Sequence, residues 1–141
     1  MTGRTLLGFD YGRKRIGIAV GQEITATAKG LATLNTTPEG PDWAAIDKLV
    51  KEWQPQLIVV GMPSNMDDRP HKLHDEVKDF GKKLAERYNL PVEWIDEKLS
   101  SVEAEQLLSA SPQSKKRKQD KAQIDKLAAQ LILQSYLNTN L

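Results

Sequence analysis

The N-terminal part of the chain consists of short apolar runs separated by turn residues. Thr5 to Tyr11 reads TLLGFDY, and Ile16 to Gly21 reads IGIAVG after the short turn Gly12 to Arg15. Two apolar runs joined by a glycine-containing turn predict an antiparallel hairpin. The stretch from Thr25 to Asn35 mixes threonine, alanine and leucine, and it is expected to return as a further strand. This part of the sequence therefore predicts an antiparallel meander.

After residue 41 the apolar positions take helical spacing and then alternate between helix and strand patterns. The residues from Trp43 to Trp53 predict a helix that ends at Gln54-Pro55, and Leu57 to Gly61 predicts a short buried strand. Another helical stripe consists of Leu73, Val77, Phe80, Leu84 and Tyr88. The run from Val92 to Asp96, VEWID, is the next predicted strand.

The C-terminal part predicts helices separated by a basic loop. Ser100 with Glu103 fits a capping box and predicts a short helix through Leu108. A polar, basic loop is expected over 109–118, followed by a last helix over about 120–137. Strands that alternate with helices imply parallel pairing through right-handed crossovers. The predicted fold is α/β: a mixed five-stranded sheet, with a three-stranded antiparallel meander plus two parallel strands, flanked by helices.

Length and composition agree with one soluble domain over residues 1–141. The chain has no cysteine, which excludes a disulfide scaffold, a zinc ribbon and thiol catalysis. Twenty Lys and Arg against 19 Asp and Glu give a net charge of +1, which excludes a globally basic nucleic-acid coat. The apolar runs are too short to span a bilayer, and no secretory signal is recognisable. A cytoplasmic location with no membrane partner is expected.

Three carboxylates stand in unusual places. Asp10 lies inside an apolar strand, where an ionised carboxylate is costly unless it is paired or binds a cation. Glu97 directly follows VEWID, at the strand end where open α/β sheets bind ligands. Asp125 flanks the apolar stripe of the last helix, and Ala128 and Ala129 on its face would let that helix approach the sheet closely.

A carboxylate cluster of this kind suits one or two hard cations, Mg²⁺ or Mn²⁺. Two such ions about 4 Å apart can activate water and stabilise a leaving oxygen in phosphodiester hydrolysis. Simpler explanations remain open for each residue. Asp10 could cap a turn, Glu97 could pair with Lys98 or Arg15, and Asp125 could be a charge favourable to the helix dipole.

Basic residues flank the acidic ones in sequence. They are Arg13, Lys14 and Arg15 after Asp10, and Lys115, Lys116, Arg117, Lys118 and Lys121 before Asp125. A positive rim around a metal-binding cluster fits a nucleic-acid backbone. The amides around Gly12 and Gly61 are further candidates for phosphate contacts. The alternative for the second run is a mobile, solvated loop.

Several motifs together resemble a known family. They are FDYGRKRIGIAVG (Phe9 to Gly21), IVVGMPSNMD (Ile58 to Asp67), DEKLSSVEA (Asp96 to Ala104) and IDKLAAQLILQSYL (Ile124 to Leu137). In this order they resemble the YqgF family of the ribonuclease H-like superfamily, which is related to Holliday-junction resolvases of the RuvC type. The resemblance covers nearly the whole chain.

The resemblance implies an acidic catalytic triad, carried over to Asp10, Glu97 and Asp125, and a divalent-metal nuclease that processes precursor 16S rRNA. Some positions depart from the family pattern. Lys98, also a candidate nucleic-acid contact, replaces an arginine and lacks its bidentate geometry, which loosens positioning near Glu97. Asp68 and Ala122 each replace a glycine.

The leading hypothesis is a metal-dependent endonuclease that hydrolyses phosphodiester bonds at the 5′ end of precursor 16S rRNA during ribosome biogenesis. Its partners would be the RNA and the ribosome or its assembly factors. The alternatives are a Holliday-junction resolvase-like nuclease of branched DNA, a non-catalytic RNA-binding assembly factor, and a nucleotide-binding protein of the same superfamily. A monomer or weak homodimer is expected, and a junction nuclease would need the dimer to place two cuts.

Overall fold

A computed structural model describes residues 3–12, 14–62, 72–96 and 121–140. The strands are β1 (Thr5–Tyr11), β2 (Arg15–Gln22), β3 (Thr27–Asn35), β4 (Leu57–Met62) and β5 (Val92–Asp96). The helices are α1 (Trp43–Trp53), α2 (Lys72–Tyr88) and α3 (Lys121–Asn140). The order of these elements is the predicted one. The predicted helix over 100–108 and the basic loop over 109–118 lie outside the described residues.

The strands form one five-stranded sheet in the order β3-β2-β1-β4-β5. β1, β2 and β3 pair antiparallel, whereas β4 pairs parallel with both β1 and β5. The predicted meander with two parallel strands is therefore confirmed. Because β1, β4 and β5 run in the same direction, their carboxyl ends at Tyr11, Met62 and Asp96 share one edge of the sheet.

Some predicted element ends are wrong. β3 begins at Thr27 instead of Thr25, because Ala26 takes a left-handed conformation, with φ of 55°, in the turn that precedes the strand. β4 extends one residue past the predicted Gly61, because Met62 still pairs with Asp96 of β5. α3 extends to Asn140. By contrast, α1 ends where Gln54-Pro55 predicts, with Gln54 in the left-handed region.

Alternating side chains divide the core between the faces of the sheet. Leu7 and Phe9 of β1 belong to the cluster that contains Phe80 and Leu84 of α2. Leu6 of β1 instead packs with a second cluster, which includes Ala129, Ile132, Leu133 and Leu137 of α3. The helices α1 and α2 thus cover one face, and α3 covers the other.

Small residues let α3 approach the sheet closely. Ala128 and Ala129 are buried on the helix, as predicted. The sheet contributes Gly17, where an added Cβ would overlap the carbonyl oxygen of Asp125. At Gly30 an added Cβ would lie 2.9 Å from the side chain of Lys126. The close contact therefore depends on glycines of the strands as well as on alanines of the helix.

Glutamine side chains of α3 bind the backbone of the edge strand. The Oε1 atom of Gln130 accepts a hydrogen bond from the Gly30 amide at 2.8 Å. Gln134 accepts one from the Ala28 amide at 2.9 Å through Oε1, and its Nε2 donates to the Ala26 carbonyl at 2.8 Å. These bonds satisfy polar groups that an edge strand otherwise leaves open, and they fix α3 over β2 and β3.

A polar cluster joins α1 to α2 on the opposite face. The Nε and Nη2 atoms of Arg87 donate to Asp47 Oδ1 and Oδ2, both at 2.7 Å, and the Tyr88 hydroxyl donates to Oδ1 at 2.5 Å. The Arg87 guanidinium also lies 5.0 Å from the centre of the Trp43 ring. No helix in the described part of the chain is long and apolar enough to cross a membrane.

Candidate active site at the carboxyl edge of the sheet

Asp10 lies near the carboxyl end of β1 and pairs across the hairpin with Gly17 of β2. It is partly buried. Its neighbours in sequence, Phe9 and Tyr11, contact the core on the α1 and α2 face. Because side chains alternate along a strand, Asp10 points toward the face that α3 covers. The costly position predicted for this carboxylate is thus at the margin of the core, under the start of α3.

Asp125 reaches the same point from the other end of the chain. It lies in the second turn of α3, and its carbonyl oxygen occupies the space that a side chain at residue 17 would need. Since Gly17 is also the cross-strand partner of Asp10, one glycine adjoins both carboxylate residues. The structure therefore brings together two members of the predicted triad, Asp10 and Asp125.

A cation already lies beside Asp125. The Nε atom of Arg15, at the start of β2, donates to Asp125 Oδ2 at 2.6 Å. The side chains are 29% and 23% exposed, so the pair is partly buried, and its hydrogen bond is charge-assisted. Arg15, predicted as a nucleic-acid contact, is therefore engaged with a predicted metal ligand in this structure.

The third predicted carboxylate, Glu97, lies outside the described residues and directly follows the last residue of β5. Asp96 itself pairs with Met62 of β4. Among the residues that the structure describes, no group of three histidine or carboxylate side chains could hold a metal ion. The described part of the site thus contains two candidate ligands.

The donors present fit a hard divalent cation. Both described candidates, Asp10 and Asp125, offer carboxylate oxygens, which Mg²⁺ and Mn²⁺ prefer. The Arg15 guanidinium lies next to Oδ2 of Asp125. Asp10 and Asp125, together with Glu97 outside the described residues, are the residues that would hold such an ion.

The glycines predicted as phosphate contacts have different surroundings. Gly12 lies in the hairpin turn, where an added Cβ would be 2.6 Å from the Arg15 carbonyl oxygen. Gly61 is buried within β4 and pairs with Ile95, as the predicted strand over Leu57 to Gly61 implies. The parallel ladder continues for one more residue, to Met62.

The basic candidates are only partly described. Lys14 is exposed in the hairpin turn, and its carbonyl accepts a hydrogen bond from the Thr36 amide at 2.9 Å. Lys121 is the first residue of α3. Arg13, Lys98, Lys115, Lys116, Arg117 and Lys118 lie outside the described residues.

Sequence reasoning missed the role of Gly17 and the partner of Arg15. A glycine inside the run IGIAVG was a usable signal, because an interior glycine in a strand often marks a close backbone approach. The Arg15–Asp125 pair had no comparable signal, since its members are 110 positions apart in sequence.

Comparisons with known proteins agree on the family. A family model described as "RuvX: Holliday junction resolvase" matches residues 4–139. A protein of Nitrosococcus oceani is 46% identical over 134 residues, covering 95% of this chain and 86% of the relative. A protein of Pseudomonas putida is 44% identical over 137 residues, covering 97% and 96%. Both relatives are named "Putative pre-16S rRNA nuclease".

Solved structures share the fold. The RuvC protein of T. thermophilus in complex with a Holliday junction substrate superposes with a TM-score of 0.57 at 19% identity, covering 97% of this chain and 96% of that one. The Fowlpox virus resolvase with Holliday junction DNA gives 0.56 at 12% identity, covering 97% and 99%. These structures support the ribonuclease H-like fold. With a family match along almost its whole length, the chain belongs to the RuvX family, which confirms the resemblance to YqgF.

Proposed function

We propose that this chain is a metal-dependent endonuclease that hydrolyses phosphodiester bonds in precursor 16S rRNA. The observation that carries the proposal is the meeting of Asp10 and Asp125 at Gly17, at the edge where the parallel strands end. Ligands bind at this edge in open α/β sheets. The names of the relatives support RNA as the substrate class. Such a substrate implies the cytoplasm, with the ribosome or its assembly factors as partners.

The carboxylates of Asp10, Glu97 and Asp125 would hold Mg²⁺ or Mn²⁺. When bound, the ion supplies the Lewis acidity that activates water and offsets the charge developing on the leaving oxygen. Asp10 and Asp125 both adjoin Gly17, so their carboxylates would approach the ion from neighbouring backbone positions. Positive side chains at the hairpin, including exposed Lys14, would hold the phosphate backbone next to them.

A second candidate function is cleavage of branched DNA. The description of the matching family, Holliday junction resolvase, favours it. Resolution of a junction requires two cuts, so this function requires a dimer that presents two sites. A monomer that cleaves RNA would exclude this alternative as the main activity.

Cleavage of a labelled precursor 16S rRNA fragment with Mn²⁺ tests the proposal directly. Wild type would be compared with Asp10→Asn and Asp125→Asn, and with Asp79→Asn as the matched control. Asp79 is an exposed carboxylate on α2, on the other face of the sheet, in a surface pair with Lys83. We expect Asp79→Asn to cleave like wild type, and the other variants to lose at least about a hundredfold in rate, the scale of a missing electrostatic contribution at a reaction centre.

Three other results of this assay would refute the proposal or favour a different function. Equal cleavage by wild type and Asp10→Asn would refute the carboxylate mechanism. Cleavage of a four-way DNA junction in the same assay, with intact RNA, would favour the junction nuclease. Salt-dependent RNA binding without cleavage by any protein would favour a non-catalytic assembly factor.

A further inference from the structure

The ion pair between Arg15 and Asp125 joins residues with different expected partners. Asp125 is a candidate metal ligand, and Arg15 belongs to the basic run of the hairpin. Their 2.6 Å contact uses Oδ2 of the carboxylate, one of the two oxygens available to a cation. A guanidinium and a divalent ion therefore compete for the same group.

We propose that Arg15 is a positioning residue that occupies Asp125 until a divalent cation binds, and that the cation releases its guanidinium to a phosphate of the nucleic acid. This inference rests on the proposed function. Arginine binds carboxylate and phosphate with the same planar array of donors, so either anion can satisfy it. The exchange keeps both the arginine and the carboxylate paired in each state.

The backbone around Arg15 is held in place by hydrogen bonds and strand pairing. Arg15 pairs with Asn35 in the β2–β3 ladder, and the preceding carbonyl, of Lys14, is bonded to Thr36. The residue stands directly beside the exposed end of the hairpin. A long side chain on a fixed backbone can thus change partner without moving the strand.

Arg4, which directly precedes β1, provides a contrast. Arg4 binds Glu23 through Nε and Nη2 to both carboxylate oxygens, and its own amide also donates to Oε1. Among the described contacts, Arg15 reaches Asp125 through Nε alone. Several bonds hold the Arg4–Glu23 pair, whereas a single described bond holds the Arg15–Asp125 pair.

This exchange couples two binding events. The divalent cation must displace Arg15, and the nucleic acid gains a guanidinium only after that displacement. Each ligand therefore strengthens the binding of the other, and by thermodynamic linkage the two effects are equal. Arg15 is the residue through which the coupling passes.

The first test measures Mn²⁺ affinity without nucleic acid, from the paramagnetic resonance signal of free Mn²⁺. Removing the competitor in Arg15→Gln is expected to tighten Mn²⁺ binding about fivefold, the lower end of usual coupling factors. Arg4→Gln, which removes the contrasting arginine, is expected to bind Mn²⁺ like wild type. Equal or weaker Mn²⁺ binding by Arg15→Gln would overturn the inference.

Arg15→Lys separates competition by charge from a general disturbance of the strand. The lysine keeps a positive charge near Asp125, so its Mn²⁺ affinity should lie between those of wild type and Arg15→Gln. If the lysine variant binds Mn²⁺ as tightly as Arg15→Gln, competition by charge is wrong.

The second test compares RNA affinity in EDTA with RNA affinity in Ca²⁺, by fluorescence anisotropy. The gain on adding Ca²⁺ should be about fivefold smaller in Arg15→Gln than in wild type or Arg4→Gln. An unchanged gain would overturn the inference. Asp125→Asn separates the two proposals: Mn²⁺ binding that survives this substitution contradicts the metal site itself. Binding that Asp125→Asn abolishes but Arg15→Gln leaves unchanged contradicts only the role of Arg15.

Discussion

At the scale of single residues, the absence of a side chain at position 17 lets the α3 backbone at Asp125 approach β2 closely. A Cβ there would overlap the carbonyl oxygen of Asp125, which belongs to a helical backbone and cannot rotate away. Gly17→Ala is therefore expected to push the start of α3 off the sheet. We expect a loss of about 2 kcal/mol in the free energy of unfolding, measured by urea denaturation, and weaker Mn²⁺ binding.

Gly30→Ala is the matched control for this prediction. It makes the same change in the adjacent strand under the same helix, but the nearest atom is Cγ of Lys126, at 2.9 Å, in a side chain that can move. We expect a smaller loss of stability and unchanged Mn²⁺ affinity. Equal losses in the two variants would show that the overlap at Asp125 is not the cause.

Single residues were predictable where their type conflicts with their surroundings. Asp10 stood out because it interrupts an apolar strand, and Asp125 because it borders an apolar helical stripe. The partner of Arg15 was not predictable, because it depends on the rotation and position of α3 over the sheet. The residues around Arg15 in sequence do not determine how α3 packs on the sheet.

At the scale of elements, the two helices on the other face are joined by Asp47 of α1 and Arg87 and Tyr88 of α2. Hydrogen bonds from Arg87, and then from Tyr88, lower the pKa of Asp47 to about 2. An unfolded aspartate has a pKa of about 3.9, so the unfolded chain binds more protons between these values. The stabilisation by this cluster is thus complete above about pH 4 and is lost as the pH falls toward about 2.

Asp47→Asn tests this contribution. The aspartate and Arg87 side chains are 43% and 44% exposed, and screening by solvent limits the expected loss to about 1 kcal/mol at pH 7. The difference in unfolding free energy between wild type and variant should shrink between pH 4 and pH 2.5, measured by urea titrations. Asp79→Asn, which removes the exposed pair with Lys83, should cost less than about 0.5 kcal/mol. A difference that does not change with pH would contradict the assignment to Asp47.

Several helices and strands were predictable from the sequence, because the spacing of their apolar residues and the turn residues at their ends indicate the same bounds. TLLGFDY and VEWID define β1 and β5 with their observed bounds, and Gln54-Pro55 ends α1 as expected. The strand start at Thr27 was missed, because Ala26 is an alanine in a conformation that sequence rules reserve for glycine or asparagine. The glutamines of α3 that bind β3 were also missed, since polar helical residues usually face solvent.

At the scale of the whole molecule, the candidate site forms only when the two ends of the chain come together in the folded protein. Asp10 comes from the first strand and Asp125 from the last helix, and both adjoin Gly17 of β2, which pairs with the central strand β1. The order of the strands predicted only that the carboxyl ends of β1 and β5 share an edge, whereas the position of Asp125 depends on how α3 packs on the sheet. The net charge of +1 does not indicate such a site, because a sum over the chain does not say where the charged residues lie.

The last prediction tests whether RNA binding depends on a local cluster of basic residues or on the net charge of the whole protein. Replacing Lys115, Lys116, Arg117 and Lys118 by glutamine removes four positive charges from the run that precedes α3. For single-stranded nucleic acid, the slope of log affinity against log salt falls by about 0.7 for each phosphate that the protein no longer neutralises. We therefore expect the slope for precursor rRNA to become shallower by about 3 if every residue of the run binds a phosphate.

The matched variant replaces Lys48, Lys51, Lys78 and Lys82, which are exposed on α1 and α2. Both variants have the same net charge, so a protein that attracts RNA by its total charge would show the same change of slope in each. A nuclease that binds RNA at the Asp10–Asp125 edge should show a shallower slope only in the first variant, because α1 and α2 cover the face of the sheet opposite to α3. Equal slopes in the two variants would contradict a binding surface confined to that edge, whatever the cleavage assay shows.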